Sequence, residues 1–224
     1  MARTKPSIGP HSRRSSATKG LRGKVVIDVS MSLDGFISGP DDSPKQPLGI
    51  GGDRLFDWFS DGDTPSRWYP SFKMSAVSAE LFDEFADRVG AVVAGRRTYE
   101  VSDAWGGDGP QPGIPLFVVT HQVPERMPKG DPPYTFVTDG VEHAIERARA
   151  AARGKEVSLM GSKIVQQCLA AGLLDEITIH LVPVLLGRGV PLFGNLDPKK
   201  YDLSVVRVID APGVTHITYR VVQS

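Results

Sequence analysis

The sequence predicts an α/β fold with a mainly parallel central sheet and an antiparallel hairpin at its C-terminal end. Three observations predict it. Apolar runs suited to strands alternate with stretches of helical periodicity along most of the chain, the pattern of strands joined by covering helices. One complete strand–helix–strand unit is legible between Val157 and Phe193. The last residues lose the helical period: 204–209 and 214–222 read as two strands joined through Asp210-Ala211-Pro212-Gly213.

Taken in order, residues 1–23 are rich in Arg, Lys, Ser, Gly and Pro and contain no acid. They lack the apolar region of a secretory signal, and their composition predicts a disordered basic tail ahead of one domain at 24–224. Residues 25–31 form the first expected strand, which runs into Ser32-Leu33-Asp34-Gly35-Phe36-Ile37, with Asp-Gly as its turn. A loop dense in Gly, Pro and Asp follows at 40–53, then an apolar patch of Leu55, Phe56, Trp58 and Phe59 that suits both a core and the wall of a heterocycle pocket. Ser78 is expected to cap a helix with Leu81, Phe85 and Val89 on one face and Gly90 at its end. A buried strand at 91–94 leads at once into Gly95-Arg96-Arg97-Thr98. Another strand at 114–120 ends in Thr120-His121-Gln122. Asp139 and Glu142 have the spacing of a capping box for a helix bearing Val141, Ala144, Ile145 and Ala148.

In the unit that follows, 157–160 is a short apolar strand and Gly161 its boundary. Ser162 is the expected cap, Ile164, Val165, Cys168 and Leu169 share one helical face, and Gly172 stands where a helix end turns left-handed. Ile177, Ile179 and Leu181 then alternate with Thr178, His180 and Val182, as in a strand.

Composition narrows the classes of function. Lys+Arg and Asp+Glu both number 26 in 224 residues, so no global field attracts nucleic acid or an acidic membrane. The lone cysteine, Cys168, excludes an internal disulfide and a Cys-based metal cluster, and no metal is expected. No apolar run approaches the roughly 20 residues that span a bilayer, so a cytoplasmic location is expected.

Two turns carry the chemistry. Gly95-Arg96-Arg97-Thr98 opens a helical turn directly after a strand: the glycine permits close approach, backbone N–H groups and the Thr98 hydroxyl suit a pyrophosphate, and a guanidinium suits a ribose phosphate. Met160-Gly161-Ser162 repeats the arrangement. Asp34, Gly95, Thr120 and Gly161 all follow expected strands, and ligands of such sheets lie at the carboxyl ends of the strands. The G-x-G-x-x-G fingerprint is absent, and Gly187-Arg188-Gly189 reads as a turn.

The segments LMGS, CLAAGLLDEITIHLVPVLLGRG and VPLF, with SMSLDGFIS (30–38) and AGRRTYE (94–100), resemble the dihydrofolate reductase superfamily. The chain is most similar to the C-terminal reductase domain of riboflavin-biosynthesis deaminase-reductases and its stand-alone relatives, from Lys24 onward. The resemblance implies a three-layer dihydrofolate-reductase-like fold and NADPH as cofactor. It places backbone at Ser30 and Ile37 against the carboxamide, with Asp34 and Gly35 shaping the loop. It places Gly95, Arg96, Arg97 and Thr98 with Met160, Gly161, Ser162, Lys163 and Ile164 around the phosphates, and Thr120 toward the adenosine. It also implies a homodimer paired through the C-terminal strands, where Val205, Val206, Val208, Ile217, Tyr219, Val221 and Val222 exceed the needs of one sheet face.

Hydride transfer to a small heterocycle is the expected reaction, with a substrate like 5-amino-6-(5-phosphoribosylamino)uracil. Candidate acids are Asp34, Asp53, Asp57 and Asp103. Leu55 falls near the position where dihydrofolate reductases place their acid. Three alternatives stand beside this reading: a nucleotide-binding module without turnover, a dimeric scaffold, and a true dihydrofolate reductase. No H-x-E or P-C-x-x-C deaminase signature is present.

Overall fold

A computed structural model of the chain describes residues 22–126, 134–194, 196 and 201–222. The expected tail at 1–23 lies outside them apart from Arg22 and Gly23; the Gly23 carbonyl accepts from Arg149 Nε at 3.3 Å.

Strand β1 (Val25–Ser32) and the short β2 (Phe36–Ser38) precede a 3-10 helix at Gly52–Phe59. Two-residue strands β3 (Thr64–Pro65) and β4 (Lys73–Met74) lead to helix α1 (Ala76–Arg88), β5 (Val89–Gly95) and α2 (Arg96–Val101). After a 3-10 turn at Asp103–Gly107 come β6 (Leu116–Val119), β7 (Thr135–Val137), α3 (Val141–Ala152), β8 (Glu156–Met160), α4 (Ser162–Ala170) and β9 (Glu176–Val182). Strand β10 (Val190–Pro191) and the hairpin β11 (Asp202–Ala211) and β12 (Val214–Val222) complete the chain.

Eight of these strands form one sheet in the order β11-β12-β9-β1-β8-β5-β6-β7. All neighbours from β9 to β7 are parallel; β12 joins β9, and β11 joins β12, antiparallel. This is the expected mainly parallel sheet with an antiparallel C-terminal hairpin.

Alternation decides what each face meets. Ile27, Val93, Leu159 and Ile177 point to α3 and α4, where Ile145, Ala148, Val165 and Cys168 close the larger core. Truncating Leu159, 1 % exposed, to Ala would cost roughly 2–5 kcal/mol. Burial pushes the Cys168 thiol up to about 12, so it packs as an apolar group and is not nucleophilic. On the other face, Leu55, Trp58, Met74, Ala79, Val182 and Val214 pack beneath α1 and the 3-10 helix.

Several local expectations are corrected. The cap of α1 is Ser75, whose Oγ accepts from the backbone N–H of Ser78 at 3.3 Å. Gly90 does not end that helix; it lies in β5 at a register shift, where a Cβ would come 2.7 Å from the Ala152 carbonyl oxygen. Close approach to the end of α3 is what requires glycine there. Gly140 precedes α3 without a side-chain cap, while the Asp139 carbonyl and carboxylate are taken by His143 and Arg147. Gly161, not Ser162, holds the cap position of α4, with no side-chain cap. Gly172 adopts φ 66° past the end of α4, as expected.

Helix α1 runs opposite to the strand it feeds. Its last residue, Arg88, reaches Glu156 at the start of β8, with Nε 3.3 Å from Oε2. Its cap follows Met74, which packs with Val182 at the end of β9. The first turn of α1 therefore opens on the carboxyl edge of the sheet.

Candidate active site at the carboxyl edge

The carboxyl ends of β1, β8, β5 and β6 lie side by side in the sheet. This brings the loop after β1, the Met160–Gly161 turn, the Gly95–Thr98 turn and Thr120 to one edge.

The two strand–helix turns interlock. Gly161 has φ 98°, and a Cβ there would lie 2.3 Å from Thr98 Oγ1. A Cβ on Gly95 would lie 3.1 Å from Cγ1 of Ile164. Each turn thus passes against the first residues of the other helix, as closely as a glycine permits. The start of α4 presents backbone N–H groups without a side-chain cap, the local chemistry of a phosphate cradle. Within that turn Met160 packs against the cluster of Val92, Ala94, Tyr99 and Val118, Lys163 is exposed and Ile164 is buried. Ser162 Oγ donates to the Pro191 carbonyl at 2.8 Å and accepts from Gln166 Nε2 at 2.9 Å. Its hydroxyl fastens α4 to β10.

Arg96 and Arg97 are exposed on α2 and already paired. Arg96 Nε lies 2.6 Å from Glu100 Oε1. The Arg97 guanidinium holds the Asp42 carboxylate and donates to the Asp42 carbonyl at 2.8 Å. Thr120, 6 % exposed, accepts from the N–H of Gln122 and donates to its carbonyl, which sets the turn after β6. Ser30 is buried and accepts from Trp58 Nε1 at 3.0 Å; Ile37 is half-buried against the larger core.

The four candidate acids separate by environment. Asp34 accepts from Ser32 Oγ at 2.6 Å and from the N–H groups of Gly187 at 2.7 Å and Leu186 at 3.2 Å. The Ser32 hydrogen bond chiefly, with these amides, holds its carboxyl below the usual range and favours the anion that clamps the loop. Asp53 and Asp57 sit on the solvent side of the 3-10 helix, while Leu55 between them is fully buried. Asp103 is exposed after α2 with φ 46°.

Sequence reasoning missed a polar chain under α1. Ser30 on β1, His180 on β9 and His216 on β12 occupy one row across three strands. Asp28 Oδ1 lies 2.7 Å from His180 Nε2, and the two Nδ1 atoms of His180 and His216 are 2.8 Å apart. His216 Nε2 lies 3.0 Å from Ser78 Oγ, which lies 2.9 Å from Ser75 Oγ. The Trp58 ring packs on both imidazoles, with centroids at 4.9 Å and 5.3 Å. Burial first, then the neighbouring His180, pushes the His216 imidazole down to about 4. The available signal was polar residues at alternate positions of strands whose two faces are both covered. Among the described residues no cluster of three or more His, Cys, Asp or Glu is arranged to hold a metal, and no helix is long and apolar enough to cross a membrane.

Comparison with known proteins decides the family. The model of the RibD C-terminal domain matches residues 23–214. The chain belongs to the RibD C-terminal domain family. This is a reductase family, and solved structures agree in fold with its dihydrofolate-reductase-like architecture. A protein from Shewanella sp. PV-4 named for riboflavin biosynthesis has a TM-score of 0.68 at 24 % identity, covering 89 % of this chain and 99 % of that one. The diaminohydroxyphosphoribosylaminopyrimidine deaminase/5-amino-6-(5-phosphoribosylamino)uracil reductase of Thermotoga maritima gives 0.55 at 16 % identity, over 90 % of this chain and 57 % of that one. Dihydrofolate reductase from Enterococcus faecalis, complexed with NADP(H), gives 0.53 at 15 % identity, over 89 % and 97 %. RibD C-terminal domain membership thus rests on nearly the whole described chain, and the reductase class follows from it.

Proposed function

We propose that this chain is an NADPH-dependent reductase acting on a small heterocyclic substrate like 5-amino-6-(5-phosphoribosylamino)uracil. The observation that carries the cofactor reading is the uncapped start of α4 set against the Gly95–Thr98 turn, where a Cβ on Gly161 would stand 2.3 Å from Thr98 Oγ1. The residues fit a dinucleotide: Gly161, Ser162 and Thr98 would hold the pyrophosphate by backbone N–H and hydroxyl groups, and Arg96 and Arg97 would meet a 2′-phosphate. NADPH, when bound, supplies the hydride. Asp34 fixes the loop after β1 against Leu186 and Gly187, and backbone at Ser30 and Ile37 would meet the carboxamide. The aromatic group of Phe59, Phe72 and Tyr69, with Phe59 and Phe72 stacked at 4.7 Å, supplies an apolar wall beside the 3-10 helix. The names of the Thermotoga and Enterococcus proteins support the substrate class and the cofactor respectively.

The same reading includes a homodimer. Strand β11 is an outer strand of the sheet and exposes Leu203, Val205, Val206 and Val208. A second copy of this hairpin is the surface that would cover them.

The test is a binding and turnover panel. NADPH, NADH and flavins are titrated first, then 5-amino-6-(5-phosphoribosylamino)uracil and dihydrofolate are offered with the nucleotide that binds. NADPH binding with oxidation in the presence of the uracil compound is expected. Binding of no nicotinamide nucleotide would overturn the reading.

A further inference from the structure

Two imidazoles that face each other through Nδ1 at 2.8 Å hold one proton between them, because two N–H groups cannot occupy that line. With any added charge held on His180, beside Asp28, the rest of the chain then has two consistent settings. In the first, His180 donates Nε2–H to Asp28, His216 donates Nδ1–H to His180, and Ser78 donates its hydroxyl to His216 Nε2. In the second, one proton has been added. His180 is an imidazolium that donates to both Asp28 and His216, and His216 donates Nε2–H to Ser78. Moving between them reverses every bond from His180 to Ser78, and Asp28 balances the added charge.

The place of this chain in the fold gives it two outlets. A cavity of about 280 Å³ borders both imidazoles and Asp28, between α1 and the hairpin side of the sheet. The other end is Ser78 and the half-exposed Ser75, in the first turn of α1 at the carboxyl edge. His180 is also the direct neighbour of Ser30 in the β1–β9 register. None of the four candidate acids lies in this chain.

We propose that Asp28, His180 and His216 store the proton that accompanies hydride transfer and deliver it through Ser78 to the carboxyl-edge cleft. The proposal rests on the reductase reading. The hydride brings an electron pair to an unsaturated carbon, and the heteroatom bonded to that carbon must gain a proton. His216 releases its Nε2 proton to Ser78 Oγ, the Ser78 hydroxyl proton passes outward by way of Ser75, and the Nδ1 proton of His180 moves to His216. One proton leaves, both imidazoles end neutral, and solvent restores the proton afterwards. Asp28, His180 and His216 act through Ser78 and do not touch the substrate.

The groups facing the imidazoles set the energy of the charged state. Asp28 on β1, Glu176 on β9 and Glu84 on α1 favour it; Arg88 on α1, Arg207 on β11, Arg220 on β12 and Lys24 ahead of β1 oppose it. This near balance suits a proton that must be both taken up and given away.

Two measurements on the full chain test the proposal. The first is nitrogen-resolved NMR of the imidazoles between about pH 5 and pH 9, the range in which histidine charge changes. His216 is expected to change from the Nδ1–H to the Nε2–H tautomer at the same midpoint at which His180 becomes doubly protonated. A His216 tautomer that stays fixed across the range would overturn the proposal.

The second measurement is single-turnover NADPH oxidation with 5-amino-6-(5-phosphoribosylamino)uracil as probe, beside NADPH affinity. His216→Gln and, in case that variant folds poorly, Ser78→Ala are each expected to slow oxidation about a hundredfold. NADPH affinity should hold, and the dependence of the rate on pH should flatten. The tautomer change should persist in Ser78→Ala. Wild-type turnover with unchanged rates in both variants would overturn the proton store and leave the reductase reading standing. A wild-type chain that binds no NADPH would overturn the reductase reading, and the proposal with it.

Discussion

Gly161 and Thr98 occupy one space: a β-carbon on the glycine would sit 2.3 Å from the threonine hydroxyl oxygen. The two residues belong to turns 63 positions apart in the chain, and only their adjacent parallel strands bring them together. The fit leaves no room for a side chain at 161.

Gly161→Val is therefore expected to abolish NADPH binding in a chain that still folds. The left-handed φ of 98° adds a cost of about 1–3 kcal/mol for a residue with a Cβ. At this chain length that is a fall in Tm of roughly 2–12 °C. NADPH titration with circular dichroism as folding control checks both. In a double-mutant cycle, Thr98→Ala should lessen the stability cost of Gly161→Ala, because it removes the colliding oxygen.

NADPH is expected to bind about tenfold more tightly than NADH. A charge-assisted hydrogen bond is worth roughly 1.5–3 kcal/mol, but Arg97 must first exchange Asp42 for the phosphate. Asp42→Asn should therefore widen the preference. Calorimetry at fixed salt measures it, and equal affinities for the two nucleotides would count against Arg96 and Arg97 as phosphate ligands.

Stability should decline on mild acidification. His216 is held down at about 4, whereas an unfolded histidine titrates near 6.5. Between these values the unfolded chain binds the extra proton, so the stabilisation is complete above about pH 6.5 and is lost as the pH falls toward 4. With the adjoining cavity as a source of screening water, the loss is about 1–2 kcal/mol, or roughly 2–8 °C in Tm. Thermal melts at about pH 7 and pH 5 measure it, and His216→Gln should reduce the slope.

Light scattering at micromolar concentration should give a dimer mass. Val205 and Val208, 63 % and 58 % exposed, are the positions to challenge. Val205→Glu with Val208→Glu should yield a monomer whose circular dichroism is unchanged. A wild-type monomer would remove the hairpin as an interface.

Local pattern carried most of the fold. The 157–182 unit reads correctly from residue spacing because strand, turn and helix there are each specified by neighbours in sequence, and β1 and the hairpin are specified by alternation. Caps were less legible. Ser78 is the expected cap, but the pairing of Met74 in β4 leaves Ser75 in that position. Gly90 looked like a helix end because nothing in its sequence neighbourhood announces the Ala152 carbonyl beside it. The same limit hid the histidine chain. Asp28, His180 and His216 lie on three strands, and their contact depends on registers that connect residues up to 152 positions apart. Alternation placed His180 on a strand but did not announce Trp58 and His216, which pack on it.

The central position of β1 governs how the chain comes together. Its backbone is held at Val25 by Asp175, 150 residues later, and Lys24 reaches Glu176 across 2.7 Å. At about 5–20 residues per second, a ribosome that has finished β1 needs roughly 8–30 seconds to deliver β8 and β9. Until then this interior strand of the final sheet has both edges open. The nascent chain is thus a long-lived aggregation hazard, and its folding rate is limited by long-range closure and not by its helices.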